Sequence, residues 1–250
     1  MEIEDLLATY PRQRPPLTES HKQIYREEYK LNRTGQTFWS GMSQRAEGWL
    51  HRQVASFGRM GSVLEIGAGT LNHLPYESYE KVLAYDIVEP FEELYIGSPH
   101  LVRVRNIYQG ITQIRPDEFY DRIISTAVLE HLTNLPFVVV YSALHLKENG
   151  LFQHGIPSEG GFAWGLGWRL TTGLSFRLRT GLSYKLLMRH EHVNTALEIV
   201  AIVRYFFGSV LIRQFPIAGH HLSLYSYIHA SMPNRQRCDA FLAKVEAKNK

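Results

Sequence analysis

The pattern of apolar and polar positions changes character at about residue 60. From there to residue 157, short apolar runs alternate with segments whose apolar residues recur at helical spacing. This alternation predicts a parallel sheet with helices on both faces, because each strand is reached through a helical crossover. The predicted strands are 62–66, 81–86, 101–105, 120–126 and 151–156, and the predicted helices lie near 71–79, 90–96 and 134–146.

The segments before residue 60 have a different pattern. Prolines in residues 1–20 predict an irregular arm, and the charged residues 21–34 predict an exposed helix. Large apolar side chains recur through residues 35–58 at helical spacing, which predicts an amphipathic helix that covers one edge of the sheet.

The segments after residue 157 complete the predicted sheet. Residues 195–207 have one apolar face and predict a helix. Two further strands, 210–215 and 222–229, are separated by a short turn and therefore suit an antiparallel hairpin. The polar tail from Met232 is predicted to fray.

Composition narrows the class of protein only modestly. The 250 residues, 44% hydrophobic and 20% charged, suit one globular domain, and a net charge of +3 does not indicate a nucleic-acid partner. The single cysteine, Cys238, permits no intrachain disulfide and fits a reducing compartment. We expect a cytoplasmic protein without a signal peptide or a spanning segment, and contact with the inner face of the membrane remains open.

A glycine-rich turn follows the first predicted strand. Glu65 ends the apolar run, and Gly67 and Gly69 then allow a ligand to approach the backbone closely. Ligands of open α/β sheets bind at this edge, outside the carboxyl ends of the strands. The turn therefore predicts a nucleotide-like ligand.

Three later signals fall on the same edge. Asp86 ends the second predicted strand about 20 residues after the turn, where a carboxylate accepts hydrogen bonds from ribose hydroxyls. Asn106 ends the third predicted strand, within reach of an adenine edge. The run from Ser125 to Leu132 follows the fourth and places small and polar groups there.

These pieces together resemble the class I S-adenosylmethionine-dependent methyltransferases. The resemblance covers residues 60–157 and rests on Val-Leu-Glu-Ile-Gly-Ala-Gly-Thr, Leu-Ala-Tyr-Asp, Val-Leu-Glu-His-Leu and Leu-Lys-Glu-Asn-Gly-Leu. It implies a Rossmann-like, seven-stranded, mostly parallel sheet with helices on both faces and the last strand antiparallel. No glycine stands where a dinucleotide fingerprint has its third glycine, which argues against a nicotinamide cofactor.

The resemblance also implies roles for individual positions and a division of the chain. S-adenosyl-L-methionine would be bound by the following residues: Glu65, Gly67, Gly69, Asp86, Ile87, Asn106, Ile107 and Ser125. The predicted segments are an N-terminal arm and helical cap (1–58), a cofactor-binding core (59–157), an inserted helical or loop cover over the substrate (158–192), completion of the sheet (193–232) and a C-terminal tail (233–250).

Histidines are the candidate catalytic residues, because an oxygen or nitrogen acceptor can require a base. We rank His192 and His131 first. The sequence predicts no metal site, since no paired histidines or cysteines have ligand spacing and His190 and His192 diverge on a helix.

The cover segment is the main indication of the acceptor. Between residues 160 and 190 there are five Lys or Arg and no acidic residue, interleaved with aromatic rings. This composition favours a site for an anionic acceptor, because Arg can pair with phosphate and sugar rings stack on aromatic faces. The general arrangement also resembles bacterial methyltransferases that act on cell-surface glycans or their precursors. That resemblance implies a small-molecule or glycan-type acceptor of polysaccharide biosynthesis: a sugar, nucleotide-sugar or lipid-linked saccharide. A lipid or quinone acceptor at the membrane surface and a non-catalytic cofactor-binding scaffold are the alternatives; the sequence leaves the oligomeric state open.

Overall fold

The computed structural model of the protein describes residues 2–24, 41–56 and 60–248. Most of the predicted helix at 21–34 and the beginning of the one at 35–58 lie outside the described residues.

A seven-stranded sheet forms the centre of the molecule. Its order is β3-β2-β1-β4-β5-β7-β6. Strands β1 to β5 are parallel, and β7 runs antiparallel to both β5 and β6. The predicted fold class is confirmed. The strands are β1 Gly61–Ile66, β2 Val82–Val88, β3 Asn106–Tyr108, β4 Tyr120–Thr126, β5 Leu146–Pro157, β6 Phe207–Pro216 and β7 Ser223–Pro233.

Helices cover both faces of this sheet. The helices are α1 Ile3–Ala8, α2 Gly41–Ser56, α3 Glu92–Tyr95, α4 Leu135–Leu144, α5 Phe162–Trp168, α6 Leu174–Thr180, α7 Tyr184–Glu191, α8 Ala196–Phe206 and α9 Arg235–Lys248. A π-helical turn, Arg169–Gly173, joins α5 to α6. One face of the sheet packs against α4 and α8, with α1 and α9 outside them, and α2 lies across β4, β5 and β7 on the other face. In the described part of the chain, no helix combines the length and apolarity needed to cross a bilayer.

Three predictions are wrong: those for the N-terminal segment, for the position of α2 and for the C-terminal tail. The N-terminal segment predicted to be irregular contains α1, and its Leu6, Tyr10 and Leu17 are buried. Helix α2 packs on a face of the sheet rather than along its edge. The tail predicted to fray forms α9, because Cys238 is buried against the main core together with neighbouring apolar side chains.

The connection between β1 and β2 lacks the predicted helix at 71–79. A short 3₁₀ turn, Leu74–Tyr76, replaces it. Pro75 supplies no backbone N–H and disfavours the helical conformation at the residue before it, so a regular helix does not propagate here.

Two strands also end later than predicted. Strand β2 continues through Ile87 to Val88, and β3 begins at Asn106, after a 3₁₀ turn at Leu101–Arg103 where a strand was predicted. Ile87 and Val88 are buried, and apolar side chains of this kind favour continuation of a central strand. The strand ends shift by two residues in β2 and by three in β3, which moves different side chains to the edge of the sheet.

A buried polar network fastens α2 to the sheet. Arg122 of β4 is fully buried, and its guanidinium donates two hydrogen bonds of 2.8 Å to the Glu77 carboxylate. It also donates to the Val54 carbonyl and to Gln153 Oε1, each at 2.8 Å. Because both charges are paired and hydrogen-bonded, this otherwise costly burial is tolerated, and removing one partner would leave the other uncompensated.

Candidate active site

The glycine turn lies at the rim, defined here as the edge formed by the carboxyl ends of β1 to β5. Gly67 and Gly69 have φ angles of +67° and +51°, a region that favours glycine. A side chain on Gly67 would come within 2.7 Å of Val128, whereas one on Gly69 would meet no atom within 4 Å. Among the described residues, the turn is therefore closely packed at Gly67 and open beside Gly69.

Glu65 lies beneath this turn rather than in the open space. Its carboxyl group is buried and accepts a hydrogen bond of 2.7 Å from the Tyr85 hydroxyl. Burial raises the pKa of Glu65 to about 8, although the Tyr85 hydrogen bond opposes the shift. The carboxyl group therefore carries a proton at neutral pH in this structure.

Asp86 lies inside β2, two residues before its last residue, Val88, and is therefore below the rim. Its carboxylate accepts from Arg105 Nε at 2.9 Å and Nη2 at 2.5 Å, and from the Tyr120 hydroxyl at 2.8 Å. The backbone and side-chain amides of Asn106 add bonds of 3.0 and 3.3 Å. Five donors fill the roughly four acceptor sites of a carboxylate, so Asp86 has no capacity left for a ribose.

Glu89 occupies the rim position that the sequence assigned to Asp86. Its Oε2 accepts from the Gly69 backbone N–H at 2.9 Å, and its Oε1 accepts from Phe91 N–H at 3.1 Å. The residue is 4% exposed, and this burial raises its pKa. Each oxygen retains a lone pair beside the open side of the glycine turn. The buried Ile87 and Val88 ahead of Pro90 were the sequence signal that the strand continues past Asp86.

The remaining predicted cofactor residues are dispersed. Ile87 is buried in the core and Ile107 is 40% exposed. Asn106 is the first residue of β3, and Gln109, which follows β3, reaches the rim instead. Ser125 is buried with its Oγ 2.6 Å from His154 Nδ1, and burial holds the pKa of His154 well below its ordinary value.

The end of β4 contributes an unpaired group beside the glycine turn. Thr126 Oγ1 is buried and has no hydrogen-bond partner among the described residues. Ala127, which follows, adopts a φ of +55°, an uncommon conformation for a residue with a Cβ. Strained backbone and unpaired polar atoms concentrate at functional sites, and here they end β4, the strand paired with β1 ahead of the glycine turn.

The structure brings together the two histidines that the sequence ranked first. The rings of His131 and His192 are in edge contact, with centroids 4.8 Å apart. Glu130 completes the group: one donor atom from each of the three side chains lies within 4.8 Å of the others. Burial raises the pKa of the Glu130 carboxyl to about 7, and the charge of His131 opposes the shift. We call these three residues the Glu-His-His cluster.

Backbone hydrogen bonds explain why residues 61 positions apart meet. The N–H groups of Val193 and Asn194 both donate to the Glu130 carbonyl, at 2.9 and 3.1 Å. The buried Asn194 amide donates to the Leu129 and Leu132 carbonyls, each at 2.8 Å. His192 is therefore held against the turn that carries His131, a pairing that residue spacing does not predict.

The N-terminal arm lies over this junction as a strap. Arg14 donates to the His131 carbonyl at 3.0 Å and to the His190 carbonyl at 2.7 Å. Tyr10 donates to Asn194 at 2.7 Å, and Arg12 pairs with Glu198 at 2.7 Å. The arm thus joins the two chain segments that supply the Glu-His-His cluster.

Comparison with known proteins identifies the fold. No protein-family model matches the sequence, and no curated protein matches it. Among solved structures, the plantazolicin methyltransferase BpumL has a TM-score of 0.58 at 12% identity, with 92% of this chain and 97% of that chain covered. The N-methyltransferase NodS from Bradyrhizobium japonicum WM9 has a TM-score of 0.55 at 15% identity, with 87% of this chain and 100% of that chain covered.

A third structure agrees with these two. An O-methyltransferase family protein from Burkholderia thailandensis has a TM-score of 0.51 at 14% identity, with 77% of this chain and 56% of that chain covered. The strand order, the single reversed strand and these similarities agree. The chain has the Rossmann-like fold of the S-adenosylmethionine-dependent methyltransferases.

Proposed function

We propose that the protein is a methyltransferase that uses S-adenosyl-L-methionine and methylates an oxygen or nitrogen atom of a small-molecule or glycan-type acceptor. The observation that carries the proposal is the open side of the glycine turn at Gly69, whose backbone N–H donates to the Glu89 carboxylate. The neighbouring strand β4 ends at Thr126, whose hydroxyl has no hydrogen-bond partner among the described residues. The turn lies where the strand order reverses between β1 and β4, the position at which open α/β sheets bind ligands.

The residues at the rim fit the parts of this cofactor. Glu89 has free acceptor sites for two ribose hydroxyls, Gly67 and Gly69 leave room for the methionine part, and Gln109 can donate to an adenine edge. We assign the ribose to Glu89 in place of Asp86, because the oxygens of Asp86 are already filled. Glu65 shapes the floor of the pocket. BpumL and NodS were solved with S-adenosylhomocysteine, in keeping with the same cofactor here.

The chemistry requires positioning more than acid–base catalysis. When bound, S-adenosylmethionine supplies an activated sulfonium methyl group, so the protein must chiefly orient the acceptor and exclude water. We place the acceptor over the Glu-His-His cluster, since its turn begins at Val128, which packs against Gly67. His131 and His192 then act on the acceptor rather than on the methyl donor.

The surroundings of His192 favour a sugar-type acceptor. The Trp164 ring lies nearly parallel to the His192 ring, with centroids 6.3 Å apart, and its indole N–H donates to Glu159. Sugar rings pack on aromatic faces, and Arg and Lys of the cover segment would pair with an anionic group on the acceptor.

Titration calorimetry with S-adenosylhomocysteine tests the cofactor assignment. We expect one molecule bound per chain by the wild-type protein. Failure of the folded protein to bind either S-adenosylhomocysteine or S-adenosylmethionine would contradict the proposal. Transfer of label from methyl-labelled S-adenosylmethionine to a nucleotide-sugar or lipid-linked saccharide would support the acceptor class and exclude a non-catalytic scaffold.

A second candidate, a lipid-type acceptor taken from a membrane surface, is favoured by a stripe of apolar side chains on the cover segment. These side chains recur every fourth residue and are 43–80% exposed: Phe162, Leu166, Leu170, Leu174 and Leu178. A four-residue repeat moves gradually around an α-helix, because one α-helical turn contains 3.6 residues. The wider π-helical turn at Arg169–Gly173 offsets this movement and keeps the apolar side chains on one side of the helical segment. An open cleft of about 550 Å³ lies along the C-terminal part of the stripe, beside Leu170, Leu174 and Leu178.

The charge around the stripe suits an anionic bilayer. Arg169, Arg177 and Arg179 are exposed on the same helices, and no acidic residue occurs between positions 160 and 190. An apolar helix face flanked by cations binds the interface of membranes that contain anionic lipid.

Vesicle co-sedimentation tests this second candidate. We expect the protein to bind vesicles of phosphatidylcholine with about one-third phosphatidylglycerol more tightly than pure phosphatidylcholine. The Leu170→Asp, Leu174→Asp double variant should lose most of that binding, since each charge opposes burial in lipid. Val102→Asp is the control, because Val102 is 91% exposed away from the cover. Equal binding by the double variant and the wild type would refute the candidate.

A further inference from the structure

The Glu-His-His cluster has features beyond those needed to hold an acceptor. Two imidazoles and one carboxylate converge from separate chain segments, and their donor atoms lie within 4.8 Å of one another. Metal–ligand bonds of about 2.1 Å place tetrahedral donors roughly 3.4 Å apart, so the donor atoms need to approach one another by at most about 1.4 Å to share an ion.

The hydrogen bonds of the two histidines orient them for this purpose. His131 Nδ1 lies 3.0 Å from the Glu191 carbonyl, which can only accept, so Nδ1 carries the proton. His192 Nδ1 lies 3.1 Å from Glu159 Oε2 and likewise donates to it. In the neutral form of each ring, this arrangement leaves the lone pair on Nε2. Metal-binding histidines characteristically donate their second N–H to a carbonyl or carboxylate in this way.

Glu130 supplies an independent observation. The residue is 1% exposed, and its Oε2 has no hydrogen-bond partner among the described residues. Its other oxygen is 3.8 Å from His131 Nε2, beyond hydrogen-bond distance. A buried carboxylate oxygen without a donor is costly, and a cation bound at this position would remove that cost.

The surrounding chain holds the three ligands in place. The Glu130 carbonyl is fixed by Val193 and Asn194, and Arg14 fixes the carbonyls of His131 and Glu191. Glu159 is held in turn by the indole N–H of Trp164. The ligands are therefore supported by a second set of contacts, which organised metal sites require.

We propose that Glu130, His131 and His192 form a binding site for a first-row divalent metal ion of the Zn²⁺, Co²⁺ and Mn²⁺ class. Two imidazole nitrogens and a carboxylate suit these ions better than Ca²⁺ or Mg²⁺, which take mainly oxygen ligands. Three protein ligands leave at least one position open, as in catalytic rather than structural zinc sites.

The consequence for catalysis rests on the proposed methyl transfer. An ion with an open position would bind an acceptor oxygen and lower the pKa of its hydroxyl. The hydroxyl proton would then pass to solvent water, which leaves the nucleophilic oxygen at neutral pH. The histidines would then act as ligands instead of the general bases that the sequence predicted. Binding of the ion itself does not depend on that activity.

Cobalt titration of the tag-free, chelator-treated protein is the direct test. We expect one Co²⁺ per chain, with visible absorption bands that indicate nitrogen ligation, and displacement by Zn²⁺. His192→Ala and Glu130→Gln should each lower affinity by more than about 100-fold. Glu159→Gln, which removes only the support of His192, should lower it about 10- to 100-fold. His221→Ala, a change at an exposed histidine outside the cluster, should leave it unchanged.

Melting temperature and S-adenosylhomocysteine binding serve as controls for the folding of the variants. Glu130→Gln removes a buried unpaired charge, so it should melt no lower than the wild type and still bind S-adenosylhomocysteine. Absence of stoichiometric Co²⁺ binding, or equal affinity in wild type and His192→Ala, would overturn the proposal. If metal binds but no methyl transfer occurs, the metal site stands and the proposed function fails. Transfer that survives complete chelation would leave the histidines as bases.

Discussion

Replacing Glu89 by alanine is expected to weaken S-adenosylhomocysteine binding by about 100-fold. Its oxygens hold Gly69 and Phe91 N–H groups and retain acceptor sites toward the open side of the turn. Hydrogen bonds to a charged group contribute about 1.5–3 kcal/mol each, and 1.4 kcal/mol corresponds to a tenfold change in affinity. Two ribose bonds lost therefore account for a change of this size, measurable by calorimetry.

Asp86→Asn is the matched comparison for Glu89→Ala. It should lower the melting temperature, because Arg105 and Tyr120 lose their charged acceptor, while cofactor affinity changes little. If Asp86→Asn instead abolished binding in a folded protein and Glu89→Ala did not, the ribose would belong to Asp86 as the sequence predicted.

The second large effect concerns stability. Glu77→Gln should lower the free energy of unfolding by about 3–5 kcal/mol, because it leaves the guanidinium of the fully buried Arg122 without its counter-charge. For a chain of this size, that loss corresponds to a decrease of roughly 6–20 °C in melting temperature. Calorimetric or circular-dichroism melting measures it directly.

The same pair predicts how stability depends on pH. Burial alone would raise the pKa of Glu77, but hydrogen bonds from His73 and Arg122 lower it to about 2, from an ordinary value of 4.5. The stabilisation is therefore present above pH 4.5 and is lost as pH falls toward 2. The difference in the free energy of unfolding between the wild type and Glu77→Gln should therefore decrease as pH falls from 4.5 to 2.

An exposed carboxylate provides the control for this variant. Glu80→Gln should change the free energy of unfolding by less than about 0.5 kcal/mol, as surface substitutions usually do. Equal melting temperatures for Glu77→Gln and the wild type would show that the buried pair contributes little to stability.

Much of the fold follows from local sequence. The alternation of apolar runs and helical segments predicts β1, β4 and β5 and the final hairpin, because buried parallel strands need continuous apolar residues. Strand ends were harder to place. A charged residue, Asp86, was taken as the end of β2, although it lies inside the strand, where Arg105, Asn106 and Tyr120 satisfy it. These donors are 19 to 34 residues away from Asp86 along the chain, so the sequence does not show that they satisfy its buried charge.

The sequence by itself determined the fold class and the position of the glycine turn. Both depend on local periodicity and on φ angles that favour glycine. Only the tertiary structure decided which carboxylate reaches the rim, since that depends on strand register. It also decided that Glu130, His131 and His192 converge, because backbone contacts from Asn194 and the N-terminal strap join segments 61 residues apart. Long-range contacts of this kind have no periodic signature in a single sequence.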